Sequence, residues 1–140
     1  MPNLPPEYGP PISLAAAKRI MDAAEREAAK NGWPMAIAIV DSTGHLLMFH
    51  RLDQTQLGSV AVAIAKAESA VNFRRPTKAF EEAIAAGGMG LRLITMPYMI
   101  ALEGGIPIVQ DGKVTGGIGV SGMQSSQDAE VARAGLAALG

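Results

Sequence analysis

The stretch DGKVTGGIGVSG, residues 111–122, decides the fold. It opens with Asp-Gly, a dipeptide that favours a tight two-residue turn between antiparallel strands. We therefore predict one strand at Ile106–Gln110 and a second at Lys113–Val120. The segment Ser125–Asp128 follows and resembles a capping box, so the last helix is predicted to begin there and to run to Leu139.

Glycine is concentrated in this part of the chain, where ten of the 16 glycines lie between Gly87 and Gly122. One face of the second predicted strand is nearly bare, and its residues are Thr115, Gly117, Gly119 and Ser121. Such a stripe indicates close approach either by a helix or by a ligand, and both interpretations stay open. The segment also matches G-x-G-x-x-G, but no further βα unit with an acidic residue follows it here, so we expect no dinucleotide site.

The remaining elements are predicted from periodicity and from turn residues. Ser13 caps a first helix that Asn31-Gly32 ends. The other predicted elements are strands at Met35–Val40 and His45–Leu52, helices at Gly58–Phe73 and Lys78–Ala86, and a weak edge strand at Thr95–Leu102 that contains Pro97. Because the strands come in hairpins rather than alternating with helices, we predict an α/β (α+β) fold with a five-stranded, mainly antiparallel sheet flanked by helices.

Length and composition indicate a single folded domain. The chain has 140 residues, of which 49% are hydrophobic, and this supports one core. Five prolines among the first eleven residues predict an extended arm at residues 1–11, before a domain at residues 12–140. The arm is expected to be either a disordered tail or a segment packed on a neighbouring subunit.

Several classes of function are disfavoured by composition. The chain has no cysteine, which excludes disulfides, thiolate chemistry and cysteine-based zinc sites. The net charge is −1 and the largest basic cluster is Arg74-Arg75, so we expect no nucleic-acid partner. No signal peptide and no apolar run long enough to cross a bilayer is evident, so we expect no membrane partner and a cytoplasmic location.

Charged residues near the predicted strands and helices are the first candidates for chemistry. Lys66 lies in a helix that is otherwise rich in Ala, Val and Ile, so it either extends to the surface or acts as a cation. As a cation it would meet an anionic ligand, or pair with Asp53 or Glu68. Alternation along the second strand sends His50 and Arg51 to opposite faces, and Arg51 either pairs with Asp53 at the surface or belongs to a site.

Metal ligation by both histidines together is not expected. His45 and His50 are five positions apart on a strand and point to opposite faces, so they cannot share one metal ion. Each of them could ligate haem iron singly, as could Met48 or Tyr98. We predict no site for a free metal ion.

Six segments occur in an order that resembles the GlcG/HbpS family of haem-binding or haem-degrading domains. They are VDSTGHLL (40–47), HRLD (50–53), AIAKAESA (63–70), GGIPI (104–108), DGKVTGGIGVSG (111–122) and QDAEVARAGL (127–136). The resemblance covers residues 12–140 and extends to the C-terminal domain of PduO-type corrinoid adenosyltransferases. It implies a profilin-like domain, assembly into homo-oligomers that are often octamers, and haem or another tetrapyrrole as the ligand of some members.

Two functions are consistent with the sequence and the resemblance. The first is binding of a small molecule, with haem as a possible cofactor. The candidate ligand-binding residues are Arg51, Lys66, Gly105, Gly119, Val120, Ser121 and Gly122. The alternative is a cofactor-independent isomerase, tautomerase or hydratase that acts on a small anionic metabolite in a catabolic pathway. Its candidate catalytic residues are His50, Asp53 and Lys66, which would anchor a carboxylate and move a proton.

A structural oligomer without chemistry is the third possibility. Only 18% of the residues are charged, which indicates that much surface is buried between subunits. We therefore expect a homo-oligomer, between a dimer and an octamer.

Overall fold

The structure is a computed structural model that describes residues 4–139. Within these residues the chain forms four α-helices, one 3₁₀ segment and four strands. In chain order they are α1 (Leu14–Asn31), β1 (Ala36–Asp41), β2 (Leu46–Arg51), α2 (Ser59–Phe73), α3 (Lys78–Ala85), the 3₁₀ segment (Gly88–Thr95), β3 (Gly105–Gln110), β4 (Lys113–Ser121) and α4 (Ser125–Ala137).

The four strands form one antiparallel sheet in the order β2-β1-β4-β3. Each hairpin supplies one central and one edge strand, and β1 pairs with β4 in the centre. The predicted Asp-Gly turn is confirmed, because Asp111 and Gly112 both have positive φ angles, of 51° and 76°. Positive φ at both central positions is the geometry that follows the twist of a two-residue hairpin. The α+β class and the antiparallel sheet are therefore confirmed.

Helices cover both faces of the sheet, and the two faces differ in side-chain size. On one face, large side chains such as Ile37, Ile39 and Ile118 pack against α1 and α4. On the other, Ala36 and Ala38 of β1 pack against α2. Small residues let a helix approach a sheet more closely, so α2 lies nearer to the strands than bulky side chains would permit.

The glycine stripe is explained by this close approach. A Cβ atom added to Gly119 would overlap the carbonyl oxygen of Ala63, and one added to Gly117 would lie 2.7 Å from the carbonyl oxygen of Ala67. On the neighbouring strand, a Cβ atom at Gly105 would overlap the carbonyl oxygen of Lys66. Of the two interpretations that the sequence left open, the structure shows packing by a helix.

The predicted fifth strand at Thr95–Leu102 is wrong. Residues up to Thr95 belong to the 3₁₀ segment, and residues 96–102 form no strand. Ile100 donates its backbone N–H to the hydroxyl of Ser69 at 3.0 Å, so this segment is tied to α2 rather than to a strand. Pro97 has no N–H to donate to a neighbouring strand, and this also disfavours a strand in this segment.

The ends of the helices confirm one predicted cap and correct another. Ser13 accepts a hydrogen bond from the N–H of Ala16 at 3.1 Å, as expected for the cap of α1. The capping box of α4 is formed by Gln124 and Gln127, not by Ser125 and Asp128. The predicted box is displaced by one residue because the carboxylate of Asp128 makes other contacts, which are described below.

The N-terminal arm lies against its own chain over the part that the structure describes. Gly9 donates to the carbonyl of Val114, and Val114 donates to the carbonyl of Glu7, both at 2.8 Å. The Tyr8 hydroxyl donates to the carbonyl of Val71 at 2.6 Å. The described part of the arm is therefore ordered against its own subunit, and packing on a neighbouring subunit stays a prediction. Residues 1–3 lie outside the described part.

A glycine-to-alanine pair tests the close packing of α2. Gly119→Ala should lower the free energy of unfolding by about 3 kcal/mol or more, because the added Cβ must push a helix backbone away from the sheet. Gly58→Ala is the matched control, since Gly58 has helical angles and open space at its Cβ position. Urea denaturation of both variants measures the difference, and equal losses would contradict this packing.

Candidate functional site

A buried ion pair joins α2 to α4 at the end of β4. The Lys66 ammonium donates to Asp128 Oδ2 at 3.0 Å and to the carbonyl oxygen of Val120 at 2.8 Å. The two side chains are only 2% and 3% exposed. Lys66 therefore does not extend to the surface, and its carboxylate partner is Asp128 rather than Asp53 or Glu68.

Asp128 is held by several donors at the beginning of α4. Its Oδ1 accepts the backbone N–H of Met123 at 3.0 Å, while Oδ2 faces Lys66. Burial raises the pKa of this carboxyl, and the Met123 N–H, Gly122 and the Lys66 ammonium act against that rise. The pair is thus an internal cross-link whose charges are both satisfied by the chain itself.

The predicted ligand-binding residues near Lys66 are packed inside the subunit. Ser121 donates its hydroxyl to Ser59 at 3.1 Å, and Val120 donates its N–H to the carbonyl of Gly104 at 3.0 Å. The backbone of Gly105 exchanges hydrogen bonds with Thr77, and the Cβ position of Gly122 is filled by the carbonyl of Pro34. The structure thus brings Lys66, Gly105, Gly119, Val120, Ser121 and Gly122 together around the end of β4. Ligand binding by this group stays a prediction.

The other predicted site residues lie elsewhere. His50 is paired with Ile37 in the sheet and faces α1, whereas Arg51 is paired with Ala36 and faces the α2 side. Asp53 is exposed beyond the end of β2. The predicted placement of His50 and Arg51 on opposite faces of the sheet is confirmed. The sheet also separates His50 from Lys66 of α2.

A groove runs between α1 and the residues that follow β2; we call it the α1 groove. It consists of two adjoining depressions that share Ala29 and Leu52. One has a volume of about 330 Å³ and includes Asp22, Glu25 and Arg26; the other has about 490 Å³ and includes Trp33 and Asp53. The His50 imidazole is hydrogen-bonded through Nδ1 to Glu25, which lines the first depression.

A second opening, the α2 cleft, lies between α2 and the segment that crosses it. Its volume is about 410 Å³, and it is lined by Ala65, Glu68, Ser69, Asn72 and residues 97–100. Tyr98 belongs to this lining and is 81% exposed. Two of the four candidate haem ligands, His50 and Tyr98, are thus associated with different openings on opposite faces of the sheet.

The other two candidates, Met48 and His45, lie at different depths in the structure. Met48 is partly buried and packs against the core on the α1 face. His45 lies just before β2, and its Nδ1 is 2.8 Å from the Thr43 hydroxyl. Among residues 4–139, no three His, Cys, Asp or Glu side chains are grouped as they would be to hold a metal ion.

Sequence comparison identifies the family of the chain. Residues 12–137 match the family described as haem degrading protein HbpS-like. Over 110 residues the chain is 40% identical to protein GlcG of Escherichia coli, a match that covers 79% of this chain and 81% of that protein. The chain belongs to the HbpS-like family.

Solved structures agree with this assignment. A double mutant of HbpS from Streptomyces reticuli superposes on this HbpS-like chain with a TM-score of 0.86 and 33% identity, covering 94% of this chain and 89% of that one. A structure described as a PduOC:heme complex superposes with a TM-score of 0.83 and 26% identity, covering 91% and 94%. The expected similarity to HbpS and to the PduO C-terminal domain is confirmed.

Over residues 4–139, none of the helices combines the length and the apolar character that spanning a bilayer requires.

Two acidic partners that organise these regions, Asp128 and Glu25, are not evident as such from the sequence. Local pattern links Asp128 to a capping box and does not pair it with Lys66, although a lysine inside an apolar helix signals that a buried counter-ion is needed. No motif in the sequence singles out Glu25. Glu25 borders the buried stripe of α1 that contains Met21, Ala24 and Ala28. A charged residue at the border of a buried stripe was the available signal that this side chain has a partner in the fold.

Removing one charge of the buried pair should destabilise this HbpS-like fold strongly. Lys66→Met leaves Asp128 buried without its cation, and we expect a loss of about 3–5 kcal/mol in the free energy of unfolding. Lys18→Met, at an exposed position of α1, is the control and should change stability by about 1 kcal/mol or less. Urea denaturation provides the measurement.

The double variant Lys66→Met/Asp128→Leu completes this test. Because it removes both charges, it should lose clearly less stability than the sum of Lys66→Met and Asp128→Leu. Additive losses would show that the two side chains do not interact.

Proposed function

We propose that this HbpS-like protein binds haem or a related tetrapyrrole, and that the ligand lies in the α1 groove. The proposal is supported by the similarity to a fold that has been solved in complex with haem. It does not depend on the glycine-rich end of β4, where α2 covers the sheet.

The shape and lining of the α1 groove carry the proposal. Its two depressions share Ala29 and Leu52 in their lining, and the half-buried Trp33 adds apolar surface to the second. Volumes of about 330 and 490 Å³ lie in the range of small-molecule sites. A long, shallow and partly apolar surface suits one face of a flat macrocycle.

The charges of the groove indicate how such a ligand would be oriented. Arg26 lines the groove and can hold a propionate through a charge-assisted hydrogen bond. Asp22, Glu25 and Asp53 also line it, so the anionic edge of the ligand should turn towards Arg26 and solvent. When bound, haem supplies an iron centre that accepts axial ligands and changes oxidation state.

The alternative enzyme has less support, because its three candidate catalytic residues are not brought together. Lys66 is committed to Asp128 and Val120 on the α2 side, whereas His50 faces α1 and Asp53 lies beyond β2. A proton-transfer site needs these groups within hydrogen-bond reach of one substrate. The cytoplasmic location and a role in catabolism stay predictions.

Titration of the purified protein with hemin tests the proposed function. The wild type should give a saturable Soret band, and Ala29→Arg should weaken hemin binding by about tenfold or more because the new side chain fills the α1 groove. Ala65→Arg, which fills the α2 cleft instead, is the matched control and should bind hemin as the wild type does. Absorption that never saturates, or that detergent abolishes, would reject haem as the ligand.

Self-association is a separate proposal that the exposed apolar side chains support. Between α3 and β3, Met89, Ile94 and Tyr98 are 74%, 67% and 81% exposed. Side chains of this kind in one segment are typical of a surface that another protein covers. We infer that a second copy of the chain covers it in the homo-oligomer.

Two negative charges introduced into this apolar segment should dissociate the assembly. We expect Met89→Glu/Ile94→Glu to lower the molar mass in solution, as measured by light scattering after size-exclusion chromatography. Ala137→Glu, at an exposed position of α4, is the control and should leave the mass unchanged. A wild type that elutes at 14.5 kDa would contradict the oligomer.

A further inference from the structure

Glu68 is a charged side chain whose role the fold does not explain. It lies in α2, a helix rich in Ala, Val and Ile, and the sequence offers it as a partner for Lys66. In the structure Lys66 pairs with Asp128 instead, and within residues 4–139 no lysine, arginine or histidine forms an ion pair with Glu68. The residue is half-buried, so its carboxylate loses part of its hydration without gaining a counter-charge.

Glu68 lines the α2 cleft, whose first wall is one face of the helix. Ala65, Glu68 and Asn72 are spaced by three and four residues, so they lie on the same side of α2. Residues 97–100 form the second wall, and a backbone hydrogen bond to Ser69 holds this segment against the helix. The resulting volume of about 410 Å³ lies in the range of small-molecule sites.

The polar groups of the α2 cleft favour a cation. Glu68 supplies the single carboxylate among the lining residues, and no lysine, arginine or histidine accompanies it there. Asn72 and Tyr98 add neutral hydrogen-bonding groups, and the Tyr98 ring adds an aromatic surface of the kind that attracts cations. An anionic ligand would leave the charge of Glu68 uncompensated, whereas an ammonium ion would neutralise it through a charge-assisted hydrogen bond.

The rest of the lining is apolar and limits what else the ligand can carry. It consists of Ala65, Pro97, Met99 and Ile100. A ligand with an apolar group next to its ammonium would bury apolar surface here, whereas a hydrated metal ion would not. We propose that the α2 cleft binds a small organic ammonium ion with an apolar body, and that the Glu68 carboxylate is its ionic partner. This site is separate from the α1 groove and does not depend on the proposed haem binding.

Tyr98 connects the α2 cleft with the proposed self-association. It lines the cleft, and it is also one of the exposed side chains in the segment that a second copy is inferred to cover. A second copy that covers Tyr98 would therefore adjoin the cleft, while Glu68 and Asn72 contribute to it from α2. For this reason the binding experiment uses the protein in its assembled state and a signal that large assemblies give.

Methyl NMR of the full-length protein with benzylamine as the probe tests the proposal. Benzylamine carries an ammonium at neutral pH on a small apolar ring, and benzyl alcohol has nearly the same shape without the charge. With the methionine methyl groups labelled, benzylamine should shift the Met99 signal saturably, and the buried Met21 signal should stay unchanged as the internal control. Benzyl alcohol should bind about tenfold more weakly, and equal affinities for the two probes would overturn the proposal.

A matched pair of variants tests the role of the carboxylate. Glu68→Gln should lower the affinity for benzylamine by about tenfold, because it removes the charge and keeps the shape of the side chain. Glu130→Gln, at an exposed glutamate of α4, is the control and should bind benzylamine as the wild type does. Wild-type affinity in Glu68→Gln, or a Met99 signal that benzylamine does not shift, would overturn the proposal. The comparison of the two probes needs no variant, so it tests the charge even if Glu68→Gln folds poorly.

The variants that fill the two openings separate this site from the proposed haem site. Ala65→Arg should lose benzylamine binding and keep hemin binding, because its guanidinium enters the α2 cleft that Glu68 lines. Ala29→Arg should keep benzylamine binding and lose hemin binding. If Ala29→Arg loses benzylamine binding and Ala65→Arg keeps it, the ammonium site is not in the α2 cleft and the proposal is wrong. A wild type that binds benzylamine but not hemin would reject the proposed function alone.

Discussion

The backbone of α2 lies directly against the backbone of β4, and the rest of the structure depends on this contact. It exists because Gly117 and Gly119 have no side chains, and Gly105 gives the same freedom to β3. Because the two backbones are so close, the Lys66 ammonium of α2 can donate to the carbonyl oxygen of Val120 in β4 and to the carboxylate of Asp128 in α4. The close packing thus determines where the beginning of α4 is held.

The same contact gives the two faces of the sheet different chemistry. On the α2 face, small residues and satisfied polar groups leave little space, and the Lys66–Asp128 pair is shielded from water. On the α1 face, larger side chains lie between the sheet and the helix, and the α1 groove lies beside that helix. The residues most conspicuous in the sequence therefore stabilise the fold, while the proposed haem site lies on the opposite face.

Local signals in the sequence predicted most of the elements. The Asp111-Gly112 turn, the Ser13 cap and the helical ending at Gly32 each depend on a few neighbouring residues, and the structure confirms them. The absence of side chains on one face of β4 indicated a close approach, but only the structure showed that α2 rather than a ligand makes it.

Contacts between distant residues could not be predicted in the same way. The partner of Lys66 is 62 residues away and that of His50 is 25 residues away, and periodicity says nothing about which elements meet. The prediction of a fifth strand was wrong for a related reason. The composition of residues 96–102 is compatible with a strand, but the N–H of Ile100 is hydrogen-bonded to Ser69 of α2 instead of to a neighbouring strand. The grouping of residues at each site could therefore be described only from the folded structure.

The contacts of the arm before α1 limit how far the N-terminus of the domain can be truncated. The family match begins at residue 12, yet Glu7 and Gly9 hydrogen-bond to Val114, at the part of β4 that β1 does not reach. Arg74 also lies over the ring of Tyr8, 5.2 Å from its centre. A chain trimmed to the family boundary would expose an unpaired length of strand, and such edges invite pairing with other chains and aggregation.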